Sequence, residues 1–150
     1  MRDVDMDGGP GELVIPLRSR LEEIGRLARL LEAFGEAHAI PADVLLCVNL
    51  ALDEVITNIV LHAYPDAQEH EIVTRFRLEG SDLVVEVDDD GLAFDPLELP
   101  AVDPEARAHA GAIGGLGVHI VRMVMDDLAY RRTGDRNVLT MRKAARTAHG

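Results

Sequence analysis

The segment from Asn49 to His62 constrains the fold most, because its pattern predicts a helix with apolar residues on nearly every side. Such a helix is expected to be buried. Glu54 and Asn58 lie four positions apart within it and therefore share one face. Buried without partners, the amide would cost roughly 1–3 kcal/mol and the carboxylate more. Either neighbouring backbone satisfies this pair in a structural role, or the pair faces a ligand.

The charge balance of the chain limits the partners that we expect. Its 150 residues suit one domain with a sizeable core, and 27 acidic against 15 basic residues give a net charge of −12. This charge argues against non-specific nucleic-acid binding and against anionic membrane surfaces. A single cysteine, Cys47, excludes an intrachain disulfide, and the sequence shows no run of the ~18 apolar residues that a membrane span needs. We expect a cytoplasmic domain.

The order of predicted elements indicates a two-layer α/β (α+β) sandwich, in which one mixed, mostly antiparallel sheet carries helices on one face. The domain is expected to span residues 12–143, between flexible tails at 1–11 and 144–150. The strands are predicted at 12–17, 71–78, 83–87, 128–133 and 138–143, and the helices at 19–35, with Ser19 as N-cap, 41–62 and 117–125. About twenty irregular residues after Asp95 predict a functional loop such as a lid.

Glycines precede the third predicted helix, in Gly115-Leu116-Gly117. Glycine lets the backbone approach a ligand closely, and the free N–H groups of a first helical turn favour phosphate. The alternative is an ordinary helix start at the end of a flexible loop.

Asp89-Asp90-Gly91 follows a predicted buried strand. A carboxylate there can accept a hydrogen bond from an amino group, such as the exocyclic amine of adenine. A solvated acidic turn is one alternative. A metal cluster on Asp88, Asp89 and Asp90 is another, although neighbours on a strand point to opposite faces.

The polar pair on the long helix can complete a nucleotide site. Asn58 offers an amide oxygen to a hard cation such as Mg²⁺, which prefers oxygen ligands. Glu54 can deprotonate or orient an attacking hydroxyl or water opposite a γ-phosphate. His62, one turn after Asn58, lies either at the rim of the site or in a structural position at the helix end.

The spacing of these residues resembles the N, G1 and G2 boxes of the gyrase/Hsp90/histidine-kinase/MutL ATPase superfamily. The matching residues are Glu54-xxx-Asn58, Asp89-x-Gly91-xx-Phe94-Asp95 and Gly114-Gly115-Leu116-Gly117. The short chain and the run Gly-Gly-Leu-Gly-Val-His-Ile-Val are similar to the anti-sigma-factor serine kinases of bacterial stress and sporulation switches. The resemblance implies the Bergerat ATP-binding fold with Mg²⁺ and ATP.

Position by position, the resemblance implies roles for individual residues. Glu54 would be the catalytic base, Asn58 the Mg²⁺ ligand, and Asp89 the acceptor for the adenine amine, with Gly91 giving room beside it. The backbone of Gly115, Leu116, Gly117 and Val118 would hold the phosphates, and Thr140 would add a hydrogen bond near adenine.

The function implied is an ATP-dependent serine/threonine-protein kinase that is also an anti-sigma factor. It would bind a sigma factor and phosphorylate an anti-sigma-factor antagonist, and the resemblance also allows a homodimer. Sensor histidine kinases usually carry Asn where this chain has Glu54. The alternative is a nucleotide-gated protein-binding module without kinase activity, and a simple ATP hydrolase is a third possibility.

Overall fold

The computed structural model describes residues 11–95 and 115–145, which form five strands and three helices. In chain order these are β1 (Glu12–Arg18), α1 (Glu23–Ala37), α2 (Ala42–His62), β2 (Glu71–Glu79), β3 (Asp82–Asp89), α3 (Gly115–Val124), β4 (Asp127–Thr133) and β5 (Arg136–Ala144). The predicted lid lies almost entirely outside the described residues.

The five strands form one sheet in the order β1-β2-β3-β5-β4. Its four pairings are all antiparallel in the described chain, where a mixed sheet was expected. Phe76 at the centre of β2 lies opposite Leu13 on one side and Val85 on the other. The predicted α+β sandwich class is confirmed.

One face of the sheet packs against the helices and forms the core. Buried and intermediate or exposed residues alternate along β1 and β2, so that every second side chain points toward the helices. Large buried side chains from both layers meet there, including Ile15, Leu17, Ile72, Phe76, Leu83 and Met141 from the sheet and Leu27, Leu31, Val48, Leu52 and Ile56 from α1 and α2.

The other face of the sheet carries ion pairs between strands, some of them adjacent and one joining β2 and β5 across β3. Arg75 lies 3.3 Å from Glu12, Arg142 lies 2.9 Å from Glu79, and Arg136 lies 2.6 Å from Asp88. Partly exposed pairs of this kind each add little stability, typically about 0–1 kcal/mol. These pairs identify the face of the sheet that is turned away from the helices.

Helix α2 is only partly buried, so the expectation of burial on all sides is wrong. Its buried residues, Val44, Val48, Ala51, Leu52 and Ile56, follow one face. Leu46, Leu50 and Leu61 are exposed by 63%, 41% and 56%. The reason is geometric, because a helix that lies on one face of a single sheet has a side that this sheet cannot cover.

Helix α2 is also long and apolar enough, by length and composition alone, to cross a membrane, with a mean hydropathy of 1.9. The sequence pattern had predicted no such segment. Core helices pass the same test, and the buried face of α2 packs in the core beside the sheet.

Helix α1 begins at Glu23, and Ser19 is not its N-cap. The Ser19 hydroxyl instead accepts a hydrogen bond from the backbone N–H of His70 at 2.8 Å, and the Ser19 N–H donates to the His70 carbonyl at 2.9 Å. Ser19 therefore joins the end of β1 to the start of β2. A partner 51 residues away is invisible to a capping rule based on local spacing.

Candidate functional site

A cavity of about 240 Å³ opens between helices α2 and α3 and the strands β3, β4 and β5. Its walls are mostly apolar, and polar groups are placed at a few points. The apolar lining residues include Val55, Ile59, Ala63, Val87, Leu92, Phe94, Val118, Val121, Leu128 and Leu139, and the polar ones are Asn58, His62, Asp89, Tyr130 and Asn137. This lining suits a flat, largely apolar ring with a polar edge.

Asp89, the last residue of β3, places a carboxylate in this cavity while being only 5% exposed. Its Oδ1 accepts hydrogen bonds from the Gly91 N–H at 2.8 Å and from Asn137 Nδ2 at 3.0 Å. Burial raises the pKa of this carboxyl group, against the lowering effect of both donors. Since both hydrogen bonds that Asp89 accepts within residues 11–95 and 115–145 use Oδ1, Oδ2 is left to accept from a ligand.

Asn137 orients Asp89 and was missed by sequence reasoning, which placed it in the β4–β5 turn. It is 6% exposed, and its Nδ2 lies 3.0 Å from Asp89 Oδ1 and 2.9 Å from the Leu92 carbonyl. Its Oδ1 accepts from the Tyr130 hydroxyl and, at 3.1 Å, from Arg132 Nη1. Asn137 therefore connects β4, β5 and the segment after β3. Only the register, which pairs Asp89 with Asn137, could have revealed it.

The three consecutive acids do not act together. Asp88 pairs with Arg136 on the outer face, Asp89 bonds to Asn137, and the Asp90 carboxylate lies 3.2 Å from His70 Nδ1. The alternation along the strand explains this divergence, which disfavours a common metal cluster on Asp88, Asp89 and Asp90.

Gly91 allows the chain after β3 to pack against the end of α2. A Cβ atom at Gly91 would lie 2.5 Å from Ala63 Cβ and 2.8 Å from the Ala63 carbonyl oxygen. The Leu92 N–H donates to that same carbonyl at 2.9 Å. The space that glycine leaves is therefore filled by Ala63, the residue directly after α2, which brings the segment after Asp89 against the end of that helix.

We predict that Gly91→Ala destabilises the fold by about 1–3 kcal/mol, because backbone as well as a side chain must move to relieve the overlap. The control is Gly25→Ala in α1, whose added Cβ would meet only Arg29 Nη1 at 3.6 Å. It should leave stability unchanged or raise it, since alanine favours helix. Urea unfolding of both variants checks this, and equal midpoints would refute the steric account.

Asn58 and Glu54 occupy α2 as predicted but are half-buried, not buried. The Asn58 side chain lines the cavity, where its amide oxygen can serve a hard cation. Glu54 lies one turn earlier, outside the cavity lining. Desolvation and then the charge of Asp53 raise the pKa of the Glu54 carboxyl group. His62 lines the cavity one turn after Asn58, which places it at the rim.

The predicted phosphate-binding segment forms the first turn of α3, which begins at Gly115, two residues earlier than predicted. Gly115, Leu116 and Gly117 lie within this turn, and the Val118 side chain lines the cavity at 5% exposure. First-turn N–H groups have no partner within a helix. Anions are therefore favoured at this end of α3.

The structure does not bring Thr140 to the cavity. Leu139 lines the cavity and Met141 is in the core, so alternation along β5 turns Thr140 to the opposite face of the sheet. There it lies across from Glu86, on the side of the ion pairs. The position on β5 that meets Asp89 is that of Asn137.

A second cluster of polar side chains surrounds His70. Its partner Asp90 directly follows Asp89, which lines the cavity. His70 Nε2 lies 2.8 Å from Asp66, its Nδ1 lies 3.2 Å from Asp90, and its ring stacks on Tyr64 with a centroid distance of 4.0 Å. The hydrogen bond to Asp66, followed by that to Asp90, raises the pKa of His70 above its ordinary value of 6.5. Protonated His70 thus links the loop after α2 to the residue that follows Asp89.

We predict that this link makes stability depend on pH. Because the pKa of His70 is higher in the folded state, its contribution is fully present below pH 6.5 and is lost as pH rises through the raised value. The difference in melting temperature between wild type and His70→Gln should therefore shrink as pH rises. Thermal unfolding of both proteins, at pH values from below 6.5 to above the raised pKa of His70, checks this prediction. A difference in melting temperature that stays constant with pH would contradict it.

Comparison with known proteins gives consistent matches. The family model of the histidine kinase-like ATPase domain matches residues 17–143. Serine-protein kinase RsbW from Listeria monocytogenes serovar 1/2a is 28% identical over 120 residues, covering 77% of this chain and 75% of the relative. Serine/threonine-protein kinase BtrW from Bordetella bronchiseptica is 32% identical over 95 residues, covering 63% and 66%.

The fold is also found among solved structures. The chain superposes on the structure of the RsbU and RsbW domains of a Mycobacterium tuberculosis protein with a TM-score of 0.62. Sequence identity is 15%, and the match covers 89% of this chain and 33% of the larger one. This likeness concerns the fold alone.

Proposed function

This chain belongs to the histidine kinase-like ATPase domain family, and we propose that it is an ATP-dependent serine/threonine-protein kinase that acts as an anti-sigma factor. The observation that carries the proposal is the buried Asp89 carboxylate, held by Asn137 and Gly91 in an apolar cavity beside Asn58. Relatives named as serine-protein kinases support the choice of reaction.

Adenine would enter the cavity with its exocyclic amine donating to Asp89. The apolar walls from α2, α3 and β5 would cover the ring faces, and Asn137 would keep the carboxylate in place. The triphosphate would extend toward the first turn of α3, where the backbone N–H groups from Gly115 to Val118 favour anions. This arrangement would present the γ-phosphate near the polar side of α2.

Asn58 would hold Mg²⁺ through its amide oxygen, since it lines the cavity and carries the oxygen donor that this cation prefers. When bound, Mg²⁺ neutralises charge on the β- and γ-phosphates. Desolvation and Asp53 raise the pKa of Glu54 and so make its carboxylate a stronger proton acceptor.

In the transfer step, a serine or threonine oxygen of the substrate would attack the γ-phosphorus as its proton passes to Glu54. The bond between that phosphorus and the β–γ bridging oxygen breaks, and ADP leaves with the bond's electron pair. The product is a phosphorylated protein. Glu54 lies one helical turn from Asn58, which would place the base and the Mg²⁺ ligand on adjacent turns of α2.

The partners we propose are a sigma factor, bound and held inactive, and an anti-sigma-factor antagonist, which is the phosphoacceptor. The unphosphorylated antagonist would displace the sigma factor from this chain in the cytoplasm. The resemblance to anti-sigma-factor serine kinases supports these partners and a homodimer.

The test is to incubate the chain with labelled Mg-ATP and a candidate antagonist protein encoded near its gene. Label on a serine or threonine of that protein supports the kinase. Nucleotide binding without transfer would favour a nucleotide-gated binding module. Phosphate release that needs no second protein would favour a simple ATP hydrolase.

A further inference from the structure

The outward side of α2 carries three exposed leucines. We call Leu46, Leu50 and Leu61 the leucine face. Each is more than 40% exposed, although the opposite side of the same helix is buried in the core. Leu50 and Leu61 are eleven residues apart, so they lie roughly 16 Å from each other along the helix.

Helical periodicity places Glu54 at the edge of the leucine face. Leu50 precedes Glu54 by four residues and Leu61 follows it by seven, so all three lie within one sector of the helix. Asn58 is rotated further around the helix, toward the cavity. Glu54 therefore lies on the border between the cavity and the leucine face. A chain that lies across Leu50 and Leu61 can therefore bring a hydroxyl to Glu54 from outside the cavity.

The charges around the leucine face favour a partner with basic side chains. Helix α2 contains no lysine or arginine, and the exposed charges that accompany the leucines are the carboxylates of Asp43 and Asp53. An apolar surface with acidic groups at its edge is complementary to a segment that combines apolar and basic side chains. It repels an acidic segment.

We propose that the leucine face is the docking surface for the acceptor segment of the protein substrate. This inference rests on the proposed kinase function and specifies its substrate class. The acceptor serine or threonine lies between apolar side chains that contact Leu50 and Leu61, with lysine or arginine nearby. Docking there delivers the hydroxyl to Glu54 while ATP occupies the cavity on the other side.

The experiment measures transfer to the acceptor protein by Leu50→Arg and Leu61→Arg, with Leu21→Arg as the matched control. Leu21 is 45% exposed and precedes α1 in the chain. Both leucine-face variants should raise KM for the acceptor by about tenfold or more, because arginine removes apolar contact and repels basic groups. The KM for ATP should not change in any variant. Circular dichroism establishes that each variant is folded, and Leu50→Ser replaces Leu50→Arg if that variant unfolds.

The outcomes separate this proposal from the kinase function. If wild type transfers no phosphate to any acceptor, the proposed function fails. If wild type transfers phosphate and both leucine-face variants match Leu21→Arg, only the docking surface is overturned. A change in oligomeric state by sedimentation, with KM for the acceptor unaltered, would also overturn it, because the face would then join two copies of this chain.

Discussion

Replacement of Glu54 by glutamine is expected to slow phosphotransfer by about 10²–10⁴-fold, the usual contribution of a general base. The amide keeps the size of the side chain but cannot take the proton of the acceptor hydroxyl. Affinity for ATP should change little, because Glu54 lies outside the cavity lining that includes Asp89 and Asn58. Single-turnover transfer from labelled ATP, together with calorimetric titration of the nucleotide, measures both quantities.

The matched control is Glu32→Gln on α1, which removes an exposed helical carboxylate from another part of the surface. Its transfer rate should equal that of wild type. If Glu54→Gln also transfers at the wild-type rate, Glu54 is not the base. If it loses ATP binding instead, the separation between the nucleotide cavity and the base is wrong.

Asp89→Asn is expected to weaken ATP binding by about 1–3 kcal/mol, the scale of a lost hydrogen bond to a buried charged group. The hydrogen bonds around Asp89 explain why this substitution weakens ATP binding. Asn137 Nδ2 and the Gly91 N–H both donate to Asp89 Oδ1, so the new amide must place its oxygen there. Its NH₂ group then replaces Oδ2, where it would meet the donor amine of adenine with another donor. Isothermal titration with Mg-ATP measures the loss.

Asp88→Asn serves as the control for this variant, since Asp88 precedes Asp89 on β3 and pairs with Arg136 on the outer face. It should bind ATP with wild-type affinity. Equal affinities for wild type and Asp89→Asn would show that adenine does not contact this carboxylate.

The parts of the fold that depend on local pattern were predictable. The strand predicted at 71–78 is β2 (Glu71–Glu79), along which Ile72, Thr74 and Phe76 are buried. The helix predicted at 41–62 is α2, which runs from Ala42 to His62. Both predictions rest on patterns among residues that lie within a few positions of one another in the sequence.

The features that depend on distant contacts could not be predicted. Asn137 looked like a turn residue because its partner Asp89 is brought to it only by the β3–β5 register. The exposure of Leu46, Leu50 and Leu61 depends on how much of α2 the sheet covers, which an apolar pattern cannot show. The role given to Thr140 came from the resemblance, which does not show the register that puts Thr140 across from Glu86 on the outer face.

Mass spectrometry of the acceptor protein, after incubation with Mg-ATP and either wild type or Glu54→Gln, tests directly whether this chain is a kinase that uses Glu54 as its base. With wild type we expect one added phosphate, on a serine or threonine. With Glu54→Gln we expect no modification within the same time, although both proteins bind ATP. If the acceptor binds wild type in the presence of ATP and stays unmodified while ADP is formed, this chain is not a kinase for that protein.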